Sequence, residues 1–369
     1  MESRYNMEKD RITARQFLII FSVACLSPAT RMMPVVTAAT AKQAGWVGAL
    51  IGATGLLVLF AIFGGIFRRG DSGPAGIGDA FELVFGGVPG KILMFVCLIW
   101  AAIIYMLYIR YFAERMLSTI FTTTDIRFFI AVMMAIVFLA LRGRVKVLAR
   151  FSEISIIVFI VVLIVIVAGI LPNLKIKYVW PVTHLDTVPV LKASFKIVGV
   201  LGIVALFFFF GEFIGDKQEI WKKGRKIALA LGVVLTIITA ICIGTMSYRV
   251  VKNTPLPFFT AVKLISIVES LDRIEALLFS VWVISDFVII TAFALIIGSI
   301  AKRMFRVTET RYFAAPLALF GYVGGICIET NVFELESFSK STAVPITNLI
   351  LCYFLPLLTL VVGRLRKKI

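Results

Sequence analysis

A chain of 369 residues that is 60% hydrophobic, with a mean hydropathy of +1.00, is more apolar than the roughly 45–50% usual for a soluble domain. Its net charge of +17 sits in short loops between apolar runs. That is the positive-inside bias of a membrane protein, with the lipid bilayer rather than nucleic acid as partner. Five cysteines without a CxxC pair and a single histidine suggest neither a disulfide framework nor a metal site. No Walker A, HExxH or GxSxG motif supports an enzyme.

A membrane crossing takes roughly 20 mostly apolar residues. The segments that qualify are 14–41, 45–67, 91–113, 126–141, 151–171, 194–221, 226–250, 274–303, 311–328 and 343–363, the fourth being the weakest. The expected fold is an all-α polytopic membrane protein of ten transmembrane helices, one domain over 1–369. The first apolar run reads as a span and not as a cleaved signal. Lysine and arginine favour one set of alternate segments by two to one. These are the N-terminus, the stretches around Arg68, Arg142, Lys222 and Arg303, and the tail 364–368. The bias places both termini in the cytoplasm. On the outer side, 172–189 reads as a proline-rich loop and 257–272 as an amphipathic surface helix.

The first span is interrupted where the bilayer centre should fall. Pro28, Arg31 and Pro34 all lie there. Proline removes a backbone donor, and an arginine at that depth is costly. Span six carries Gly211 and Glu212 after the phenylalanine run 207–210, and span eight carries Ser285 and Asp286. Spans one and six open two sets of five, about 14–171 and 194–363. Interrupted helices at matching positions point to a five-plus-five inverted repeat with broken helices 1 and 6. Half-helix N-termini and the Arg31 guanidinium suit a substrate carboxylate. Glu212 or Asp286 can receive an ammonium, carry a proton or neutralise Arg31.

The candidate binding residues are therefore Pro28, Ala29, Thr30, Arg31, Tyr105, Phe210, Gly211, Glu212, Ser285 and Asp286. The plainer alternatives stand beside them. Arg31 with Glu212 or Asp286 can be a structural ion pair. The run 207–210 reads more simply as lipid-facing or core, and the Tyr105 hydroxyl as a helix-to-helix bond. Gly48, Gly52, Gly211 and Gly215 can serve close packing. Asp216 reads as solvated, and Glu153 as a partner of Arg150 or another cytoplasmic base. No cofactor is expected beyond a coupling proton or sodium ion.

Pro257-Phe258-Phe259, then 262–267 and 273–277 with Trp282, resemble the segment running into span eight of the spore germination permeases. Pro34 with Ala44-Gly45-Trp46, Asn173-Leu174, Pro181-Val182, Pro189-Val190-Leu191, Gly211-Glu212 and the basic tail are similar to other parts of that family. The resemblance covers nearly the whole chain. It implies the membrane-embedded B subunit of a nutrient germinant receptor, within the amino acid–polyamine–organocation superfamily, in the inner membrane of the spore. It further implies ten helices in a five-plus-five inverted repeat, an amino-acid-type ligand, and partner A and C subunits. The chain departs from the family at span one. Family members often carry glycine and small apolar residues there, where this chain has Ser27-Pro28-Ala29-Thr30-Arg31. A fixed positive charge favours a more acidic ligand or occupies the pocket itself. A proton- or sodium-coupled amino acid transporter acting alone is the alternative.

Overall fold

Apolar runs shielded from water must satisfy their backbone groups internally, which leaves helices as the main solution for such a sequence. The computed structural model describes residues 10–119, 121, 123–264, 274–328 and 343–369, and these are nearly all helical. Among them the strand pairing is an isolated bridge between Ile12 and Ile214. In chain order the helices are α1 (Ala14–Ala41), α2 (Gly45–Ala53), α3 (Gly55–Ile66), α4 (Ile77–Phe85), α5 (Gly87–Thr119), α6 (Ile126–Arg142), α7 (Val145–Ile170) and α8 (Thr187–Gly202). A 3₁₀ segment, Ile203–Phe213, continues α8. Then come α9 (Ile220–Met246), α10 (Tyr248–Val251), α11 (Pro257–Val262), α12 (Ile274–Phe305), α13 (Ala314–Cys327), α14 (Ala343–Asn348) and, after a π turn, α15 (Leu355–Leu365). Only the start of the expected outer amphipathic helix is seen, as α11; 265–273 lie outside the described residues.

Among the described residues, seven helical stretches are long and apolar enough to cross a membrane. One of them, Ala14–Ile66, holds 53 residues. At 1.5 Å per residue that is far more than the ~30 Å hydrocarbon core requires. An expectation of ten depends on dividing this stretch in two and on counting α6 and α13. Those helices hold 17 and 14 residues, short of a full crossing.

Small residues set the close approaches. A Cβ on Gly52 would meet the Ile197 Cβ at 2.5 Å, and one on Gly48 the Ala193 Cβ at 3.0 Å. Glycine at these two positions lets α2 lie directly on α8. The phenylalanine run is core and not a lipid face, with Phe207, Phe208 and Phe210 fully buried. The three-residue repeat of the 3₁₀ segment sets Phe207 beside Phe210, the rings tilted to each other with centroids 5.7 Å apart. Phe208 stacks on Phe63 of α3 at 3.7 Å, and Phe210 meets Phe17 of α1 at 5.5 Å.

The segments rich in lysine and arginine gather at one end of the bundle. Ile12 N–H donates to the Phe213 carbonyl at 2.8 Å, and Gly215 N–H to the Ile12 carbonyl at 2.9 Å. Arg366 and Lys368 of the tail donate to the Val84 and Leu83 carbonyls at 2.7 Å each, capping α4. Glu153 accepts from Gln16 Nε2 at 3.3 Å, a partner other than the expected Arg150.

Asp216 is not merely solvated. It accepts the Ala14 N–H at the start of α1 and pairs with Lys223 at 2.5 Å. Burial pushes its carboxyl up, but the Lys223 ammonium and the Ala14 N–H outweigh this and hold it below the ordinary carboxylate value. A depressed folded-state pKa stabilises the fold above the unfolded value of about 3.9 and ceases to do so as pH falls below it. Asp216→Asn is therefore expected to lower the melting temperature at pH 7, with a penalty that shrinks towards pH 3. Thermal unfolding of the purified protein across that range checks it, and a penalty growing on acidification would count against the pairing.

Candidate ligand site

The two prolines of α1 predict a broken helix. The structure instead runs α1 unbroken from Ala14 to Ala41 with Pro28 and Pro34 inside it. The correction has a physical cause. The Ser285 hydroxyl of α12 accepts the Ser27 N–H at 3.0 Å and donates to the Val23 carbonyl at 2.6 Å. Those two backbone groups are the i and i−4 partners of a regular helix. A side chain has entered the ladder one residue before Pro28, whose missing N–H opens the next rung. Three residues on, the Thr30 hydroxyl bonds the Leu26 carbonyl at 2.9 Å and accepts Trp282 Nε1 at 2.9 Å. α12 thus braces α1 at the rung beside the one that proline opens. The sixth span does leave the α-helix, but earlier than the expected Gly211-Glu212: α8 passes into the 3₁₀ segment at Gly202–Ile203, and Phe210 leaves helical dihedrals.

Around this joint lies a buried polar constellation. Arg115 of α5 is 5% exposed, Asp286 of α12 2% and Ser27 1%. Arg115 Nη1 lies 3.0 Å from Asp286 Oδ2, an ion pair without a hydrogen bond between those atoms. Ser27 completes the link, accepting from Arg115 Nη1 at 3.0 Å and donating to Asp286 Oδ1. The Arg115 guanidinium also lies 4.9 Å above the Trp282 ring. Desolvating two charges costs several kcal/mol each in a protein interior, so their close mutual contact and the Ser27 bridge are what make the arrangement tolerable.

Ser27 and Arg115 form one wall of a cavity of about 40 Å³ whose other walls include Pro28, Arg31, Tyr108, Tyr111, Ile203 and Asn348. The Arg31 guanidinium lies 3.5 Å over the Tyr111 ring. Asn348 is held by Trp100 Nε1, which donates to its Oδ1 at 2.8 Å. The lining carries two guanidinium groups and no carboxylate. About 40 Å³ admits a few waters, well short of the ~300 Å³ of an open ligand pocket.

Of the residues expected here, Pro28 and Arg31 line the cavity. Ser285, Asp286 and Thr30 belong to the constellation behind it. Ala29 borders a smaller void against Ile203 and Phe207. Four others are placed elsewhere. Tyr105 donates to the Leu317 carbonyl at 3.2 Å, a helix-to-helix bond. Phe210 and Gly211 are buried in the aromatic core, where a Cβ on Gly211 would meet the Ala75 carbonyl at 3.3 Å. Glu212 sits at the basic end, 3.0 Å from Lys302. Asp286 is neutralised by Arg115 and Glu212 by Lys302, so the expected pairing of either with Arg31 gives way. Arg115, Trp282, Tyr108, Tyr111 and Asn348 were not among the expected site residues. Arg115 follows an apolar run and reads as a loop residue. Yet α5 continues to Thr119, and the i,i+4 spacing of Arg110 and Glu114, paired at 2.8 Å, was a sign that it would.

A family model described as Spore germination protein matches residues 11–332 of the chain. The chain is also 25% identical over 339 residues, 89% of its length and 88% of the relative's, to Spore germination protein KB of Bacillus subtilis (strain 168).

Proposed function

The chain belongs to the spore germination protein family, and from that premise we propose that it is a ligand-sensing, permease-like subunit of a spore germinant receptor. Its ligand is a small amino-acid-type molecule bound midway across the membrane, between α1, α5, α14 and the junction of α8 with its 3₁₀ segment. The observation that carries this reading is the pair of arginines on one buried cavity, Arg115 locked by Ser27 and Asp286, and Arg31 laid on Tyr111. Ionised groups within apolar spans are costly, and ligand recognition is a reason to keep them. The guanidinium groups suit a carboxylate, and the faces of Tyr108 and Tyr111 suit an ammonium.

The cavity widens when ligand enters. A ligand shifts that equilibrium only through its differential affinity for the wide and narrow forms. The change is relayed to partner A and C subunits in the inner membrane of the spore. Ten crossings in a five-plus-five inverted repeat, with Ala14–Ile66 crossing twice and both termini cytoplasmic, suit this role. The test is a thermal-shift screen of amino acids, sugars and nucleosides on the purified protein. A ligand at 100 times its Kd adds about 2.7 kcal/mol to the folded state. If no compound raises the melting temperature, the chain is a scaffold without a ligand.

One feature favours a second reading. Asp286 is a buried carboxylate bonded to the Ser27 hydroxyl, a position suited to carrying a coupling proton. A proton- or sodium-coupled amino acid transporter acting alone would use it so. Gradient-driven uptake of labelled amino acid by the purified chain in liposomes would sink the pure-sensor reading.

A further inference from the structure

A second cavity, of about 290 Å³, opens at the basic end, far from the arginine-lined one and several times larger. It reaches the lower range of ligand pockets. Its walls come from the N-terminus of α4, the 3₁₀ segment and the last turns of α12. Three cations face it, Lys302, Arg303 and Arg306, against two carboxylates, Asp79 and Glu212. The carboxylates are already engaged. Glu212 takes Lys302 Nζ through both oxygens, at 3.0 and 3.2 Å. Arg303 spends Nη1 on Asp79 and Nη2 on Glu82, the latter at 2.8 Å.

What remains is a surplus of donors. The Ser299 hydroxyl lines the cavity, is 7% exposed and has no hydrogen-bond partner. Arg303 Nε is likewise buried without one. A helical serine ordinarily satisfies its hydroxyl on the carbonyl four residues back, as Ser152 and Ser155 do. Arg306 adds an exposed positive charge at the rim. The N-terminus of α4, lined by Gly76 and Gly78, adds its positive dipole end. The three carboxylates balance the three cations in number, but Ser299 Oγ and Arg303 Nε remain buried donors without an acceptor, and Arg306 at the rim favours one that is negatively charged.

We propose that this cavity is a binding site for a small oxyanion, a phosphate or carboxylate, bridging Ser299 and Arg303 and joining α4 to α12. Glu212 competes with it for Lys302. The site is independent of the arginine-lined cavity and of any ligand there.

The test uses the purified full chain in phosphatidylcholine nanodiscs, titrated with inorganic phosphate against chloride at constant ionic strength. Phosphate is expected to raise the melting temperature saturably. Ser299→Ala should weaken its apparent affinity about threefold to tenfold, the effect of one hydrogen bond. Glu212→Gln should tighten it several-fold by releasing Lys302. Nanodiscs containing phosphatidylglycerol separate the sources. A shift that needs this lipid, and that Ser299→Ala diminishes, assigns the site to a phosphate headgroup. Absence of any saturable effect in both the unaltered chain and Glu212→Gln overturns the proposal. So does a phosphate effect that Ser299→Ala and Arg306→Ala leave unchanged.

Discussion

Arg115→Ala and Asp286→Ala are each expected to cost about 3–5 kcal/mol of stability, because each strands an uncompensated charge that is almost fully buried. The double replacement Arg115→Met with Asp286→Leu should recover most of that loss. It removes both desolvation penalties and fills similar volume with apolar atoms. Ser27→Ala keeps the ion pair but removes the hydroxyl that donates to Asp286 Oδ1 and accepts from Arg115 Nη1. It should cost about 1–3 kcal/mol. Reversible unfolding in detergent of the parent, Arg115→Met, Asp286→Leu and the two combined forms a double-mutant cycle with a large coupling term, and the alanine variants are read on the same scale. Single variants within about 1 kcal/mol of the parent would mean that water reaches the pair, contrary to its burial. The double variant also separates stability from sensing. If it folds and no longer responds to ligand, the charges are retained for recognition and not for the fold.

The family and the polytopic class were legible in the amino-acid sequence because they rest on hydropathy, basic loops and local motifs. The partners of the charges were not. A charge inside an apolar run signals that some compensation exists, but the compensating group lies on another helix. Arg115 and Asp286 are brought together only when α5 and α12 pack. The same holds for α1. Pro28 announces an open rung, whereas the hydroxyl that occupies the adjoining one comes from 258 residues away. Proline alone points to unwound backbone, whereas α1 runs on through Pro28 with Ser285 bridging the adjoining rung. Glu212 misled for a related reason. Its place after the phenylalanine run looks deep in a span, yet a 3₁₀ segment rises about 2.0 Å per residue against 1.5 Å for an α-helix. Eleven residues of it carry Glu212 to the basic end and to Lys302.

Arg31 is where the chain carries its own character, and replacing it should affect binding more than folding. The side chain is half-buried and lies 3.5 Å over the Tyr111 ring, so Arg31→Ala is expected to lower the melting temperature of the empty protein, and ligand affinity is read against that shifted baseline. A hydrogen bond to a charged group contributes about 1.5–3 kcal/mol. Its loss should weaken an amino-acid ligand about 10-fold to 150-fold. Arg31→Lys keeps the charge but gives up the planar fork and its stacking on Tyr111, so it should fall between the two. Tyr111→Leu removes the face that orients the guanidinium and should cost about 1 kcal/mol of affinity. The decisive comparison pairs protein and ligand changes. If Arg31 grips the carboxylate, the corresponding amino acid amide binds the parent weakly and loses little more on Arg31→Ala. Equal loss for acid and amide would assign Arg31 to shaping the cavity wall, and the carboxylate would then fall to Arg115 or Asn348. An affinity within about threefold of the parent, read by thermal shift with the acid, would remove Arg31 from recognition altogether.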